Sequence, residues 1–166
     1  MSFGSISWWC CPSRLFRSPF VLGGLTVVAI HCAFIMFSAW RDSPTWDEIG
    51  HLPAGLSHWR FGRFELYVVN PPLVRLIAAV PLAVSGVGIP WEKVDFVPTH
   101  RTEWGGGEDF IRADPQRAFR WFTVARWFCL PFTLLAGYIC FRWASELYGR
   151  AAGVVALWQS SPFIAL

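Results

Sequence analysis

The chain has 166 residues, of which 54% are apolar or aromatic and 15% are charged, against roughly 25% charged in an average soluble domain. That deficit argues against an ordinary soluble globular protein. The 14 Lys and Arg and 11 Asp and Glu give a net charge of +3, and the scattered basic residues lack the stripe that follows a phosphate backbone, so no nucleic-acid partner is expected.

Eleven Trp and 15 Phe fit a chain in contact with lipid, because indole and phenyl rings suit the acyl interior and its interfaces. Cys32, Cys129 and Cys140 fall inside apolar stretches, and Cys10 and Cys11 are adjacent near the start. Neither a disulfide framework nor a CxxC metal pattern is present.

In chain order, residues 1–18 read as a cytoplasmic tail carrying Arg14 and Arg17, and residues 19–40 as a first transmembrane helix. This second stretch has 22 residues without a charge, enough at 1.5 Å per residue to cross a hydrocarbon core of about 30 Å. A cleaved signal peptide is the rival reading. It is disfavoured by the length of the run and by the bulky Phe37 two residues before Ala39, where a cleavage site wants a small side chain. A second apolar run from Trp127 to Phe141 lies in a span placed at 121–144, with Arg126 and Arg142 snorkelling from its ends. Residues 145–150 form a short cytoplasmic connection, and 151–166 begin a third span that stops with the chain, as in the front part of a longer protein. Arg14, Arg17, Arg142 and Arg150 place both connections in the cytoplasm by the positive-inside rule, so 41–120 is expected outside.

The outer segment 41–120 carries nine Lys and Arg and ten Asp and Glu. Its first half mixes charges with aromatic residues at helical spacing, and then gives a mostly apolar stretch broken by Pro81 and several glycines. Two short helices at the outer membrane surface are expected, with Trp46, Trp59, Phe61, Phe64 and Tyr67 at the headgroup boundary. The stretch from Trp91 to Arg117, with its Gly triplet at 105–107 and Pro98 and Pro115, reads as an aqueous loop.

The residues richest in chemistry are Asp47 and Glu48, followed by His51, Gly55 and His58. On a helix Asp47, His51, Gly55 and His58 share one face, with Glu48 one step round. Two carboxylates and two imidazoles are thus expected at one small region outside the membrane, where a bare charge is costly without a partner or a task. The plainer reading is that both acids mark a helix start, with Thr45 as N-cap and the acids favoured by the helix dipole. Glu48 and His51 also have the Glu-x-x-His spacing of carboxylate-bridged metal sites. No second such pair exists, so no metal ligands are assigned, and no cofactor is expected beyond an unsupported divalent metal. His31, within the first span, reads as a helix contact, and His100 carries no assignment.

The third element is Asn70-Pro71-Pro72-Leu73 with Arg75 just beyond. The prolines stop the preceding segment and fix the entry to the next helix, where Asn70 or the early amides can meet an anion. Arg75, with Arg60 and Arg63 upstream, suits a phosphate at the interface, although for each arginine taken singly a lipid headgroup is the readier partner. Arg126 has the same ambiguity.

One span, an outer DE pair, a PPL step about 20 residues later, an apolar helix and an Arg-headed span follow one another. This order resembles the N-terminal part of the membrane glycosyltransferases with the C-type fold, the group of protein O-mannosyltransferases and the lipid A aminoarabinose transferase. The resemblance runs from about Pro19 to Leu166 and is most specific over WDEIGHLPAGLSHWRFGRFELYVVNPPLVRL. It implies an all-α, multi-pass fold in the plasma or inner membrane, with the active-site loop on the extracytoplasmic side. It further implies an inverting transfer of a sugar from a polyprenyl-phosphate donor to a protein, lipid or glycan acceptor.

Asp47 matches the family's catalytic aspartate, the general base. Glu48, His51, Asn70 and Arg75 are the matching candidates for substrate binding, with Arg75 supplying positive charge to the leaving phosphate. Where relatives often carry Lys or His before the two prolines, this chain carries Asn70. The alternatives are a non-catalytic membrane module or partner subunit derived from such an enzyme, or a transporter component, for which charges normally lie within the spans. By this reading the chain holds about three of the ten or more spans of such enzymes, and alone is not expected to be active.

Overall fold

The computed structural model describes residues 19–97 and 102–159. Among these there are seven α-helices and no strand. They are α1 (Pro19–Arg41), α2 (Trp46–Phe61), α3 (Leu73–Val84), α4 (Glu103–Ala113), α5 (Pro115–Phe128), α6 (Leu130–Tyr148) and α7 (Arg150–Gln159), with a 3-10 turn at Trp91–Lys93. Two helical runs are long and apolar enough to cross a membrane: Val21–Arg41, and Pro115–Tyr148, which joins α5 to α6 through Cys129. The chain divides into two compact units, one holding residues 32–133 and the other residues 19–31 with 134–159.

In the first unit α2 is the central element. It packs on α3 and α4, which in turn pack on α5. Every residue from Leu52 to His58 is buried, so α2 is not the surface helix expected from its mixture of charges and rings. Its apolar side chains Leu52 and Leu56 join Ala78, Ala79 and Leu82 of α3, Phe110 of α4 and Ala118, Phe122 and Ala125 of α5 in one core. Small residues set the closeness of the crossings: a Cβ at Gly55 would overlap the Arg75 carbonyl and the Ala79 methyl. The helix ends at Gly62, whose φ of 65° lies in the left-handed region that glycine enters without strain. Trp46, Trp59, Phe61 and Phe64 are exposed, as a headgroup boundary would want, but Tyr67 is buried.

The stretch expected to be an aqueous loop contains α4, with Glu103, Gly106, Gly107 and Phe110 buried. The glycine triplet is not a breaker here but a contact surface. Pro53, inside α2, has no N–H to give the Ile49 carbonyl four residues earlier, and Gly107 comes up against that carbonyl with no room for a methyl group between them. A Cβ at Gly105, by contrast, meets nothing within 4 Å.

Two alanine substitutions in the triplet should therefore act in opposite directions in thermal melts. Gly107→Ala forces the α2–α4 crossing apart and costs about 1–3 kcal/mol, whereas Gly105→Ala stabilises by up to about 1 kcal/mol through higher helix propensity. Equal effects at the two positions would contradict this packing.

In the second unit α6 and α7 form a tight helical pair, turned at Gly149 with φ 90°, so the expected connection at 145–150 shrinks to one residue. Gly153 of α7 lies against the Phe141 carbonyl and the Ser145 hydroxyl of α6. The predicted second span at 121–144 falls inside a longer helical run, and residues 115–120, expected in the outer segment, begin α5. Of the expected third span, α7 covers the part up to Gln159, and residues 160–166 lie outside the described residues. The tail 1–18 and His100 lie outside them as well.

Candidate functional site

The first turn of α2 separates its two acids. Glu48 is buried, while Asp47 one residue earlier is exposed. The Glu48 carboxylate accepts Thr45 N–H at 2.8 Å, closing the start of the helix as the plainer sequence reading expects. It also takes a two-pronged contact from Arg126 of α5, Nε to Oε1 at 2.7 Å and Nη2 to Oε2 at 2.6 Å. The rest of the guanidinium reaches the elbow between α1 and α2: Nη1 donates to the carbonyls of Ala39 and Asp42 at 3.0 and 2.9 Å, and Nη2 to that of Ser43 at 3.0 Å. These contacts use all five N–H donors of the arginine. Arg126, read from sequence as a snorkelling or headgroup residue, is instead a clamp that fixes α1, α2 and α5 together. Both Glu48 oxygens thus have partners within the protein.

The other predicted residues gather around a side chain that sequence reasoning assigned elsewhere, Tyr67. His51 packs against its ring with centroids 4.6 Å apart. The Arg75 guanidinium lies over the same ring at 4.6 Å, and Asn70 approaches its hydroxyl at 3.5 Å. The Asn70 carbonyl accepts from Arg75 Nη2. Arg75 is only 4% exposed, and its Nε and Nη1 have no hydrogen-bond partner among the described residues.

Arg75 therefore points into the protein, and burial lowers its pKa, opposed by Tyr67 and the fully buried Glu103. Nothing in the spacing of the sequence marks Tyr67 or Glu103 as members of this cluster. Asp47 reaches it electrostatically: His51 feels Asp47, Glu48 and Glu103 on one side of the balance and Arg75 on the other.

His58, expected on the face of Asp47 and His51, belongs to the packing instead. Its ring stacks on Phe64 at 4.3 Å, and Nδ1 lies 2.7 Å from the Arg63 carbonyl. A carbonyl can only accept, so this nitrogen carries the proton. Beside it, Trp59 Nε1 donates to the Leu76 carbonyl at 2.7 Å and pins α2 to α3.

Burial lowers the pKa of both His51 and His58 from the ordinary 6.5, with Arg75 acting in the same direction on each. Below that value the unfolded chain binds protons that the folded chain refuses. Stability should thus be flat in pH above 6.5 and fall as the pH drops through and below it, by at most about 1.4 kcal/mol per pH unit for each histidine. Melting curves between pH 8 and 5 test this: a protein that grows more stable on acidification over that range would contradict the buried, neutral state of both rings.

Outside the motifs, an aromatic row leads to Trp46 at the start of α2. Trp104 of α4 donates from its indole to the Trp46 carbonyl at 3.1 Å. Its ring stacks on that of Trp46 at 6.3 Å with the planes 20° apart and meets Tyr67 edge-on at 6.2 Å. No family model matches the sequence, and no curated protein or solved structure matches it either.

Proposed function

We propose that the chain is the N-terminal part of an integral membrane glycosyltransferase that moves a sugar from a polyprenyl-phosphate donor to an extracytoplasmic acceptor, with inversion at the anomeric carbon. The observation that carries the proposal is the unequal state of two neighbouring carboxylates: Glu48 is buried and fully bound, and Asp47 is exposed beside it. A general base must reach an incoming hydroxyl, and of the two acids Asp47 is the exposed one.

In this reading Asp47 takes the acceptor proton as the acceptor oxygen attacks the anomeric carbon. The carrier phosphate leaves with the electron pair of the broken bond. Arg75, with two buried nitrogens, Nε and Nη1, that have no partner among the described residues, supplies positive charge to that leaving group, where fixed donors in a water-poor site act most strongly. His51 and Asn70 assist in binding, and Tyr67 touches both of them and Arg75. The two candidate spans would keep this site beside a lipid-borne donor.

The test is the donor. Full-length protein in proteoliposomes should transfer sugar from a polyprenyl-phosphate sugar and not from the nucleotide sugar, and the product should have the opposite anomeric configuration to the donor. Transfer from the nucleotide sugar, or retention of configuration, would refute the proposal.

A further inference from the structure

We infer that the exposed face of Trp46, backed by Trp104, is the stacking platform for the sugar ring of the donor, an inference that rests on the glycosyl-transfer reading above. Neither tryptophan belongs to the DE or PPL steps. The rings form a ladder, Arg75 over Tyr67 at 4.6 Å, Tyr67 to Trp104 at 6.2 Å and Trp104 to Trp46 at 6.3 Å, and Trp46 directly precedes Asp47. The ladder thus leads from the cation assigned to the phosphate to the first turn of α2, the turn that carries the carboxylate assigned to the attacking side, and in the proposed reaction the sugar lies between these two groups.

Within it Tyr67 is buried, with His51 and Arg75 against its ring, whereas Trp46 is 62% exposed. The open ring is built rather than loose. The Trp104 indole holds its backbone carbonyl, and a Cβ at Gly50 would lie 3.1 Å from Trp104 Nε1, so glycine leaves the space that this indole fills.

A pyranose has C–H bonds of slight positive character on its faces and hydroxyls on its rim. The faces suit the negative face of an indole, and the rim suits a neighbouring carboxylate and imidazole. An acyl chain gains from the ring but not from the Asp47 charge beside it.

The experiment measures carrier binding to full-length protein in nanodiscs by thermophoresis. It compares bare polyprenyl phosphate with the same carrier bearing mannose, glucose or 4-amino-arabinose. The wild type should bind at least one of the sugar-bearing carriers more tightly than the bare one. Trp46→Ala should erase that preference by about tenfold or more, and Trp46→Phe should keep most of it. Binding of the bare carrier should not change in either variant.

A preference that survives Trp46→Ala overturns the inference. So does its absence in the wild type, or an equal loss for bare carrier, which would make the ring a lipid contact. Transfer by Asp47→Asn, measured in parallel, separates the two ideas. Lost transfer with an intact Trp46→Ala preference removes the platform alone, whereas unchanged transfer with a lost preference removes the base alone.

Discussion

Replacing Arg126 with alanine is expected to lower the melting temperature by on the order of 10 °C, the consequence of losing roughly 3–5 kcal/mol in a chain of this size. The side chains of Arg126 and Glu48 are 12% and 8% exposed, so removal of the arginine leaves a carboxylate in a low-dielectric setting with only the Thr45 amide for company. The Asp42 and Ser43 carbonyls at the α1–α2 elbow lose their arginine donor at the same time, and the Ala39 carbonyl keeps only the Thr123 hydroxyl. Lysine at the same position keeps the charge but lacks the planar fork, and should recover less than half of the loss. An Arg126→Ala protein that melts within about 2 °C of wild type would show that the clamp does not hold the elbow.

Asparagine in place of Asp47 is expected to reduce sugar transfer by about 10²–10⁴-fold, the usual contribution of a general base, with little effect on stability. The side chain is exposed, where substitutions usually stay within about 0.5 kcal/mol, and the lost attraction to the helix dipole adds at most about 1 kcal/mol. Because asparagine keeps the shape and can still accept a hydrogen bond, binding of the lipid-linked donor should persist. Unchanged transfer would dismiss this acid as the base, whereas no transfer by the wild type itself would favour the alternatives, a non-catalytic module or a transporter component.

What the sequence discloses follows from the range of each interaction. The helix of the first span, and the starts of α2 at Thr45 and of α3 after Pro72, depend on residues within a turn or two of each other. They are therefore written in local pattern. Helix α4 is hidden because three consecutive glycines weaken any helix taken alone, and only the proline-exposed carbonyl of Ile49 gives Gly107 a reason to be there. The clamp is hidden for a different reason: Glu48 and Arg126 are 78 positions apart, and an arginine heading an apolar run looks the same whether it meets a headgroup or a buried carboxylate.

The candidate site was half legible. His51, Asn70 and Arg75 come together on one ring, but the hub that gathers them, Tyr67, sits in an irregular segment with no periodicity to place it. Helical spacing alone also put His58 with the wrong neighbours. The loop at Gly62 turns Arg63 and Phe64 back onto that ring, and no turn-by-turn projection contains that return.

The division of labour between adjacent acids is best tested by melting and assaying Asp47→Asn and Glu48→Gln side by side in the full-length protein. Asp47→Asn should unfold within about 1 kcal/mol of wild type while its transfer drops to background. Glu48→Gln should unfold well below both, as the positive charge of Arg126 loses its partner. An Asp47→Asn form that transfers at the wild-type rate, or that unfolds as early as Glu48→Gln, would contradict a structural Glu48 and a chemically free Asp47.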